Sequence, residues 1–403
     1  MRAAGNPVFS APFYENGDEI IMIDFDKAKA IANHGDTTRL FKLFSKLEEG
    51  KPVTLCFLGG SITQGSLSSK PTTCYAYKVY EWFKETFKNA DITYVNAGVG
   101  GTTSAFGAAR CDRDVLSHNP DFVLVEFSVN DECDDYFYES YEGLIRKLIY
   151  SDSRLAVATL FNFFYQDGKT SERIHSKVAR YYGIPAASMH GAIYEDILAG
   201  KIEDISTLSP DGLHPNDTGH DLLSRVVANL LGSIYEEYKK DKETSSIGST
   251  IPNEIKAPLT VNSFEGATRL DNRNFTPDLQ GFSVDTASQK DVTDCFKNGW
   301  LGARLHDKIV FEFDQENECT GIAVQYDKTM KRPAPVVSVM VDDNSSEKIL
   351  IDAAFDETWG DLLDIRQIFL HEKKGPHRLE IEVIDDKDGK AVPFNLVSVI
   401  ITR

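Results

Sequence analysis

The chain is short of positive charge. It has 43 lysines and arginines against 62 aspartates and glutamates, which gives a formal net charge of −19. Proteins that bind nucleic acid or an anionic membrane use basic side chains to neutralise phosphates, and the sequence contains no basic stretch. The charge therefore argues against both partners, while it is compatible with a neutral substrate.

Long apolar runs are also lacking. No segment approaches the roughly 20 continuous apolar residues with which a helix crosses a bilayer. Residues 1–7 lack the apolar core of a secretory signal. On these grounds we expect a cytoplasmic protein with no membrane partner.

Paired cysteines and metal-binding histidines are missing as well. None of the six cysteines belongs to a CxxC pair, so we expect free thiols in a reducing compartment. His175, His190 and His220 show no metal-ligand spacing, and we interpret them as surface or packing residues. The sequence predicts neither a metal site nor a cofactor.

The chain contains two blocks in which the apolar residues recur with different periods. Its 403 residues are too many for one ordinary hydrophobic core, so we expect two domains. Over residues 36–240, strand-like runs alternate with amphipathic helical runs, which predicts an α/β fold with helices on both faces of a parallel sheet. Residues 1–35 form an N-terminal extension whose apolar run, Glu19–Phe25, is a candidate for an extra strand. The predicted strands are Val53–Leu58, Ile92–Ala97, Phe122–Ser128, Leu155–Phe161 and Ile184–Ala187.

The second block follows residues 238–252, which are polar, rich in small side chains and typical of a domain boundary. Residues 253–403 contain seven short runs rich in Val, Ile and Phe. Turns such as Asp342-Asp343-Asn344 separate these runs, and no helical pattern lies between them. This pattern predicts a C-terminal antiparallel β-sandwich domain.

The segment Gly59-Gly60-Ser61 directly follows the first predicted strand. Two glycines allow a sharp turn, which leaves the serine at the start of the next helix, where N–H groups favour negative charge. Nucleophilic serines are often presented on such strand-to-helix turns, although most serines in this setting are loop or capping residues. Ser61 is therefore a candidate nucleophile that requires partners.

Candidate partners lie in Asp211-Gly212-Leu213-His214, a loop before the last predicted helix. A histidine can take the proton of a serine when a carboxylate fixes the histidine tautomer. The three-residue spacing allows Asp211 to reach one imidazole nitrogen and leaves the other nitrogen for Ser61. By itself this spacing is common, and a turn with a capping histidine explains it at least as well.

Donors for an oxyanion are the third requirement of such chemistry. Glycines within residues 98–101 follow the second strand and allow exposed backbone N–H groups, and Asn130 follows the third strand. Ligands bind at the carboxyl edge of an open parallel sheet, and these segments all fall at that edge or before the last helix. Their joint occurrence is more specific than any one of them.

Together these four blocks resemble the SGNH (GDSL-type) hydrolase superfamily over about residues 35–237. The resemblance implies a flavodoxin-like three-layer αβα domain that hydrolyses esters through an acyl-enzyme without a metal. By position, Ser61 corresponds to the nucleophile, and Asp211 and His214 correspond to the closing pair. Gly101 and Asn130 correspond to the oxyanion hole, to which Ser61 adds its own N–H.

Two positions depart from the family pattern. Gly60 replaces the aspartate of Gly-Asp-Ser-Leu, and Ser128 replaces the glycine before the asparagine block. Gly-Gly-Ser is familiar among the carbohydrate esterases of this superfamily, and the two-domain layout is similar to bacterial carbohydrate O-acetylesterases, most of all the intracellular mannan acetylesterases. The expected partner is an acetylated oligosaccharide, with mannan favoured and xylan as the alternative. The sequence leaves the oligomeric state open, and a homodimer is compatible with it.

Three other interpretations are weighed against this one. A lipid or thioester hydrolase of the same superfamily requires an apolar pocket mouth, which the sequence neither shows nor excludes. A non-catalytic glycan-binding protein leaves the presence of all five catalytic positions unexplained. A dinucleotide-binding fold is disfavoured because Thr103 stands where the third glycine of its fingerprint is needed.

Trp300 and Trp359 are the tryptophans of the second domain, and both lie beside glycines in predicted loops. An aromatic face can stack on a sugar ring, so each is a candidate substrate contact. A structural role, in which the two side chains fill the end of the sandwich core, explains both tryptophans equally well. Trp359 is the better candidate for exposure.

Overall fold

The computed structural model describes residues 22–152, 154–243, 255–315 and 317–403. The predicted run Glu19–Phe25 lies partly outside these residues, and its described part forms no strand. Most of the predicted linker, residues 244–252, lies outside them too. The predicted domain boundaries therefore stay a prediction.

A six-stranded sheet forms the first half of the molecule. Its strand order is β1-β6-β5-β4-β2-β3, in which β1 is antiparallel and the other five strands are parallel. The parallel strands have the order of a flavodoxin-like sheet, whose ligands bind where the strand order reverses, here between β2 and β4. The strands are Ile31–Asn33 (β1), Val53–Gly59 (β2), Ile92–Gly98 (β3), Phe122–Glu126 (β4), Ala156–Phe161 (β5) and Ala186–Ser188 (β6).

Helices cover both faces of this sheet and bury two apolar clusters against it. One cluster joins α1, α3, α7 and α8 to one face, and the other joins α4, α5 and α6 to the opposite face. The predicted α/β fold with three layers is thus confirmed. The helices are Thr38–Glu48 (α1), Ser61–Gln64 (α2), Tyr75–Thr86 (α3), Ser104–Asp114 (α4), Asp135–Ser151 (α5), Glu172–Tyr182 (α6), Met189–Leu198 (α7) and Asp217–Glu243 (α8).

Two strand predictions differ from the structure for identifiable reasons. β4 ends at Glu126, two residues before the predicted end, because the carbonyl of Phe127 accepts the N–H groups of Asn130 and Asp131 and turns the chain. The extra strand is Ile31–Asn33, which pairs with the edge strand β6. Its three residues are too short for a periodic signal.

The second half contains two antiparallel sheets, which confirms the predicted sandwich. One has the order β15-β12-β17-β10-β9 with β7 also paired to β17, and the other has the order β14-β13-β16-β11-β8. Their facing side chains form a third apolar cluster. The strands are Thr268–Leu270 (β7), Asp278–Gln280 (β8), Ser283–Val284 (β9), Trp300–Gly302 (β10), Lys308–Phe313 (β11), Gly321–Lys328 (β12), Val336–Val341 (β13), Ile349–Asp352 (β14), Leu362–Phe369 (β15), His377–Asp385 (β16) and Phe394–Thr402 (β17).

Helix α5 is the seam between the two halves. Arg146 on α5 donates to Glu265 at 2.6 Å and to the carbonyl of Lys256 at 2.7 Å. A Cβ on Gly143 would lie 2.6 Å from Phe264, so only glycine permits the observed contact. The cluster that holds α4 and α5 continues into the sandwich. Packing therefore fixes the second half against the first.

Two general features bear on function. Within the described ranges, no helix is both long and apolar enough to cross a membrane. All six cysteines are free thiols, and five of them are buried.

Candidate active site

Ser61 lies at the turn between β2 and α2. It is the first residue of α2, so its N–H has no intrahelical acceptor and is free to face a ligand. The preceding Gly60 is held against the side chain of Asn130, because a Cβ at Gly60 would lie only 2.2 Å from Asn130 Oδ1. This close approach explains why Gly60 carries no side chain here.

A catalytic-triad geometry joins Ser61 to the loop before α8. The Nε2 atom of His214 lies 2.9 Å from Ser61 Oγ, and His214 Nδ1 lies 2.7 Å from Asp211 Oδ2. The carboxylate accepts the proton on Nδ1, which leaves Nε2 as the acceptor that faces the serine hydroxyl. The structure thus brings together the three residues that the sequence placed in two distant blocks.

The Asp211 carboxylate is ordered by the backbone of its own loop. Its Oδ1 accepts the N–H groups of Leu213 at 2.9 Å and His214 at 2.7 Å. Burial raises the pKa of Asp211, but the hydrogen bonds from the His214 side chain and from these N–H groups outweigh burial and hold the pKa below its ordinary value. Asp211 is therefore ionised near neutral pH and able to stabilise a protonated His214.

Three donors lie at this edge of the sheet. The N–H groups of Ser61 and Gly101 and the Nδ2 of Asn130 donate no hydrogen bond to another described residue, and the Oδ1 of Asn130 is buried without a partner. Gly101 has φ of +68°, a left-handed conformation that favours glycine. The neighbouring Gly100 N–H is occupied by Gln64 Oε1 at 2.6 Å. The turn therefore leaves the Gly101 N–H free, and the three donors can serve an oxyanion.

Asp131 connects the turn that carries Asn130 with the start of α4, which follows Gly101. Its Oδ1 accepts the N–H of Ser104 at 2.9 Å, at the start of α4, and its Oδ2 lies 3.0 Å from His175 Nε2. The His175 ring is buried and stacks on Tyr141 with ring centroids 3.6 Å apart. His175 is therefore a packing residue, as expected, and it also makes a polar contact with Asp131.

His220 is a second buried histidine near the site. Its Nδ1 accepts the N–H of Tyr75 at 3.3 Å, and its Nε2 donates to the carbonyl of Ser66 at 3.2 Å. Burial lowers the pKa of His220 to about 4, so the ring stays neutral near pH 7. His190 is only partly buried and lies beside Phe163. Among the described residues, no group of three potential ligands is arranged to hold a metal ion.

The two candidate tryptophans have opposite surroundings. Trp359 is 63% exposed, and its Cη2 lies 4.0 Å from the point where a Cβ on Gly101 would be. Trp300 is 1% exposed and packs edge-to-face on Phe311 in the sandwich core. A ring so deeply buried has no face for a sugar. The expectation that Trp300 contacts substrate is therefore corrected: it closes the sandwich core.

Leu362, at the start of β15, also reaches Gly101. Its Cδ1 lies 3.3 Å from the point where a Cβ on Gly101 would be. The segment from Trp359 to Leu362 therefore brings the second half of the molecule to the oxyanion loop of the first half. Sequence reasoning did not find Leu362, because an ordinary strand leucine carries no functional signal.

A flavodoxin-like sheet that carries a hydrogen-bonded Ser61–His214–Asp211 arrangement at its carboxyl edge has the geometry of a serine hydrolase. A model of the GDSL-like Lipase/Acylhydrolase family matches residues 57–222. The chain belongs to this family.

Similar proteins extend the match over both halves. A solved two-domain esterase active on acetylated mannans is 44% identical, with a TM-score of 0.87, and the match covers 94% of this chain and 99% of that one. The same type of esterase co-crystallised with mannopentaose is 43% identical, with a TM-score of 0.86 and coverage of 94% and 98%. An acetylxylan esterase of Geobacillus stearothermophilus is 26% identical over 210 residues, which are 45% of this chain and 95% of the relative.

Proposed function

We propose that this protein removes O-acetyl groups from mannan-type oligosaccharides. One observation carries the proposal: the match to an esterase active on acetylated mannans spans both halves of the chain. A relative that shared only the catalytic half would support ester hydrolysis and leave the substrate open. The exposed Trp359 beside Gly101 adds support, because it offers an aromatic face next to the reacting centre.

In the proposed reaction, Ser61 Oγ attacks the acetyl carbonyl while His214 Nε2 takes the hydroxyl proton. The resulting oxyanion accepts hydrogen bonds from the N–H groups of Ser61 and Gly101 and from the Asn130 amide. Collapse of the tetrahedral intermediate breaks the ester C–O bond, and His214 gives its proton to the departing sugar hydroxyl. Water, activated by His214, then releases acetate and restores Ser61.

The sugar is proposed to lie between the two halves. Trp359 and Leu362 come from the second half and approach Gly101, whereas Ser61 and His214 come from the first. An acetylated sugar bound there would present its ester to Ser61 and one ring face to Trp359. This arrangement assigns chemistry to the first half and recognition to the second.

The test is acetate release from acetylated manno-oligosaccharides and acetylated xylo-oligosaccharides, with Ser61→Ala as the control. Preferential, serine-dependent release from the mannan substrate supports the proposal. Preferential release from the xylan substrate, which the acetylxylan esterase relative makes a real alternative, would reassign the sugar. Turnover of long-chain acyl esters or thioesters without acetate release from either glycan would contradict it.

We also propose a cytoplasmic location. The support is chemical: six free cysteines, five of them buried, suit a reducing compartment. Cell fractionation tests this location, and recovery of the protein outside the cytoplasm would contradict it.

A further inference from the structure

Glu126 is a buried acid that the triad does not use. It is the last residue of β4, it is 0% exposed, and it pairs in register with Gly59, two residues before Ser61. Within the described ranges, no lysine, arginine or histidine forms an ion pair with it, and its Oε2 has no hydrogen-bond partner. An unpaired charge in such a place is costly.

Hydrogen counting around Ser128 indicates the protonation state of Glu126. The Ser128 Oγ accepts the N–H of Asn162 at 2.6 Å, and it lies 2.9 Å from the carbonyl of Asn162 and 3.0 Å from Glu126 Oε1. A hydroxyl has one proton, so it can donate to only one of these two oxygens. The Asn162 carbonyl also accepts a proton from Thr170 Oγ1 at 2.7 Å. Both Ser128 Oγ contacts carry a proton when Glu126 is a carboxylic acid, because Glu126 then donates to Ser128 Oγ and Ser128 Oγ donates to the carbonyl.

We propose that Glu126 is held as the neutral carboxylic acid and acts as a positioning residue, donating to Ser128 Oγ and thereby fixing the Asn130 turn. In this arrangement Glu126 donates to Ser128 Oγ, which in turn donates to the carbonyl of Asn162. Glu126 Oε1 still accepts the Ser128 N–H at 3.1 Å. Only the carbonyl oxygen of a neutral acid is then left without a donor.

The surroundings of Glu126 favour its neutral form. Burial is the largest influence and raises the pKa of Glu126 to about 7, although the hydrogen bonds from Ser128 oppose the rise. Asp131 raises this pKa further by like-charge repulsion. The other titratable groups that face Glu126 are the hydroxyls of Tyr75, Tyr141 and Tyr165, which are neutral near pH 7.

The Ser128 contacts explain what Glu126 positions. Ser128 also accepts the Ser171 N–H through its carbonyl at 2.8 Å, so the residue before the Asn130 turn is held from three sides. Asn162 begins the segment that continues to Tyr165, whose N–H donates to the carbonyl of Gly212 at 2.9 Å. This segment therefore connects the Asn130 turn with the loop that carries Asp211 and His214.

A neutral Glu126 also suits the reaction. Negative charge develops on the oxyanion next to Ser61 and Asn130, and a second negative charge at the same sheet edge would oppose it. The serine at position 128, where the family has glycine, supplies the hydroxyl that this hydrogen-bond chain needs. Glu126 is thus proposed to serve geometry and electrostatics together, and the proposal rests on the proposed ester hydrolysis at Ser61.

The test compares Glu126→Gln with Glu126→Ala on a small aryl acetate, a substrate independent of the proposed sugar. A glutamine is neutral and its Nε2 can donate to Ser128 Oγ, but an amide nitrogen cannot accept the Ser128 N–H as Glu126 Oε1 does. We therefore expect E126Q to keep kcat within about fivefold of the wild type near neutral pH and above that of E126A. We expect E126A to lose about tenfold or more in kcat with KM nearly unchanged, because a displacement near 1 Å can cost about 10²-fold. The kcat of the wild type should fall on the alkaline side as Glu126 ionises, whereas that of E126Q should not.

Infrared spectroscopy gives a readout that does not depend on catalysis. Near pH 6 the spectrum of the wild type minus that of E126Q should show the C=O stretching band of a protonated carboxyl. The contribution of Asp327, a carboxyl whose pKa burial raises to about 6, is common to both proteins and cancels. Equal bands in both, or an E126Q kcat as low as that of E126A, would overturn the proposal. Should E126A fail to fold, the band and the E126Q pH profile decide the matter. Ser61→Ala, tested separately, shows whether ester hydrolysis itself is assigned correctly.

Discussion

The two halves of the molecule contribute to the site in different ways. The first half presents Ser61, Gly101 and Asn130 on turns at the ends of three adjacent strands, and glycines and buried hydrogen bonds fix these turns. The second half contributes Trp359, an exposed side chain on a loop. The difference teaches that the groups proposed to react are held by packed turns, as precise chemistry requires, whereas the proposed sugar contact is a single exposed side chain.

Removing the nucleophile should have the largest effect. Ser61→Ala leaves His214 without a hydroxyl to activate, so we expect hydrolysis of an aryl acetate to fall by about 10⁴-fold or more. The melting temperature should change little, because the substitution removes one oxygen atom, whose hydrogen-bond partner is His214 Nε2. Substantial activity in this variant would mean that the triad geometry is not the catalytic centre.

The oxyanion donors come next. Asn130→Ala removes a side-chain amide that has no hydrogen-bond partner among the described residues, and we expect kcat to fall by between about 10² and 10³-fold with a smaller change in KM. The measurement is steady-state kinetics on the same aryl acetate. A change confined to KM would show that Asn130 binds the ground state and does not stabilise the transition state.

The free energy of unfolding should depend on pH through His220, a buried residue of the first half. An unfolded chain protonates this histidine below its ordinary pKa of 6.5, whereas the folded protein resists protonation until about pH 4. The unfolded state therefore binds more protons in this window, and stability falls as the pH drops from about 6.5 to 4, by roughly 3 kcal/mol in total.

Urea unfolding across that window, for the wild type and His220→Gln, measures this contribution. The glutamine variant has no such group, so its free energy of unfolding should decline less steeply between these pH values. Parallel declines in the two proteins would contradict the prediction.

The smallest effect should come from the second half. Trp359→Ala should lower kcat/KM for acetylated manno-oligosaccharides by about tenfold, which corresponds to roughly 1.4 kcal/mol, and leave the aryl acetate within about twofold. Leu350→Ala is the matched control, because Leu350 is also exposed but lies on the edge strand β14 of the other sheet. Equal losses on both substrates would contradict the proposal that the first half catalyses the reaction and the second half recognises the sugar.

The sequence predicted the features that local chemistry enforces. The turn at Ser61, the Asp211–His214 spacing and the alternating blocks all depend on neighbouring residues, and the fold class follows from them. The burial of Trp300 was not predictable, because glycines surround both tryptophans and only packing separates them. The burial of Glu126 was not predictable for a related reason. A glutamate at the end of a strand is normally expected at the surface, and only the packing of the sheet and helices around Glu126 buries it.

Long-range pairing explains the other omissions. His175 reaches Asp131 across 44 positions of the chain, and no periodicity marks such a contact. β1 exists because β6 offers it an edge, and its own three residues show no strand pattern. Leu362 gains its place beside Gly101 only through the docking of the two halves.

The seam at α5 has a consequence for engineering this enzyme. Glu142 on α5 accepts the N–H groups of Leu259 at 2.6 Å and Thr260 at 2.8 Å. Arg146 donates to Glu265 and to the carbonyl of Lys256, which both belong to the second half. Exchanging that half for another would strip these buried charges of their partners. Under the proposed function, the practical unit for changing the sugar preference is therefore the short segment from Trp359 to Leu362, which can be substituted while the α5 contacts stay intact.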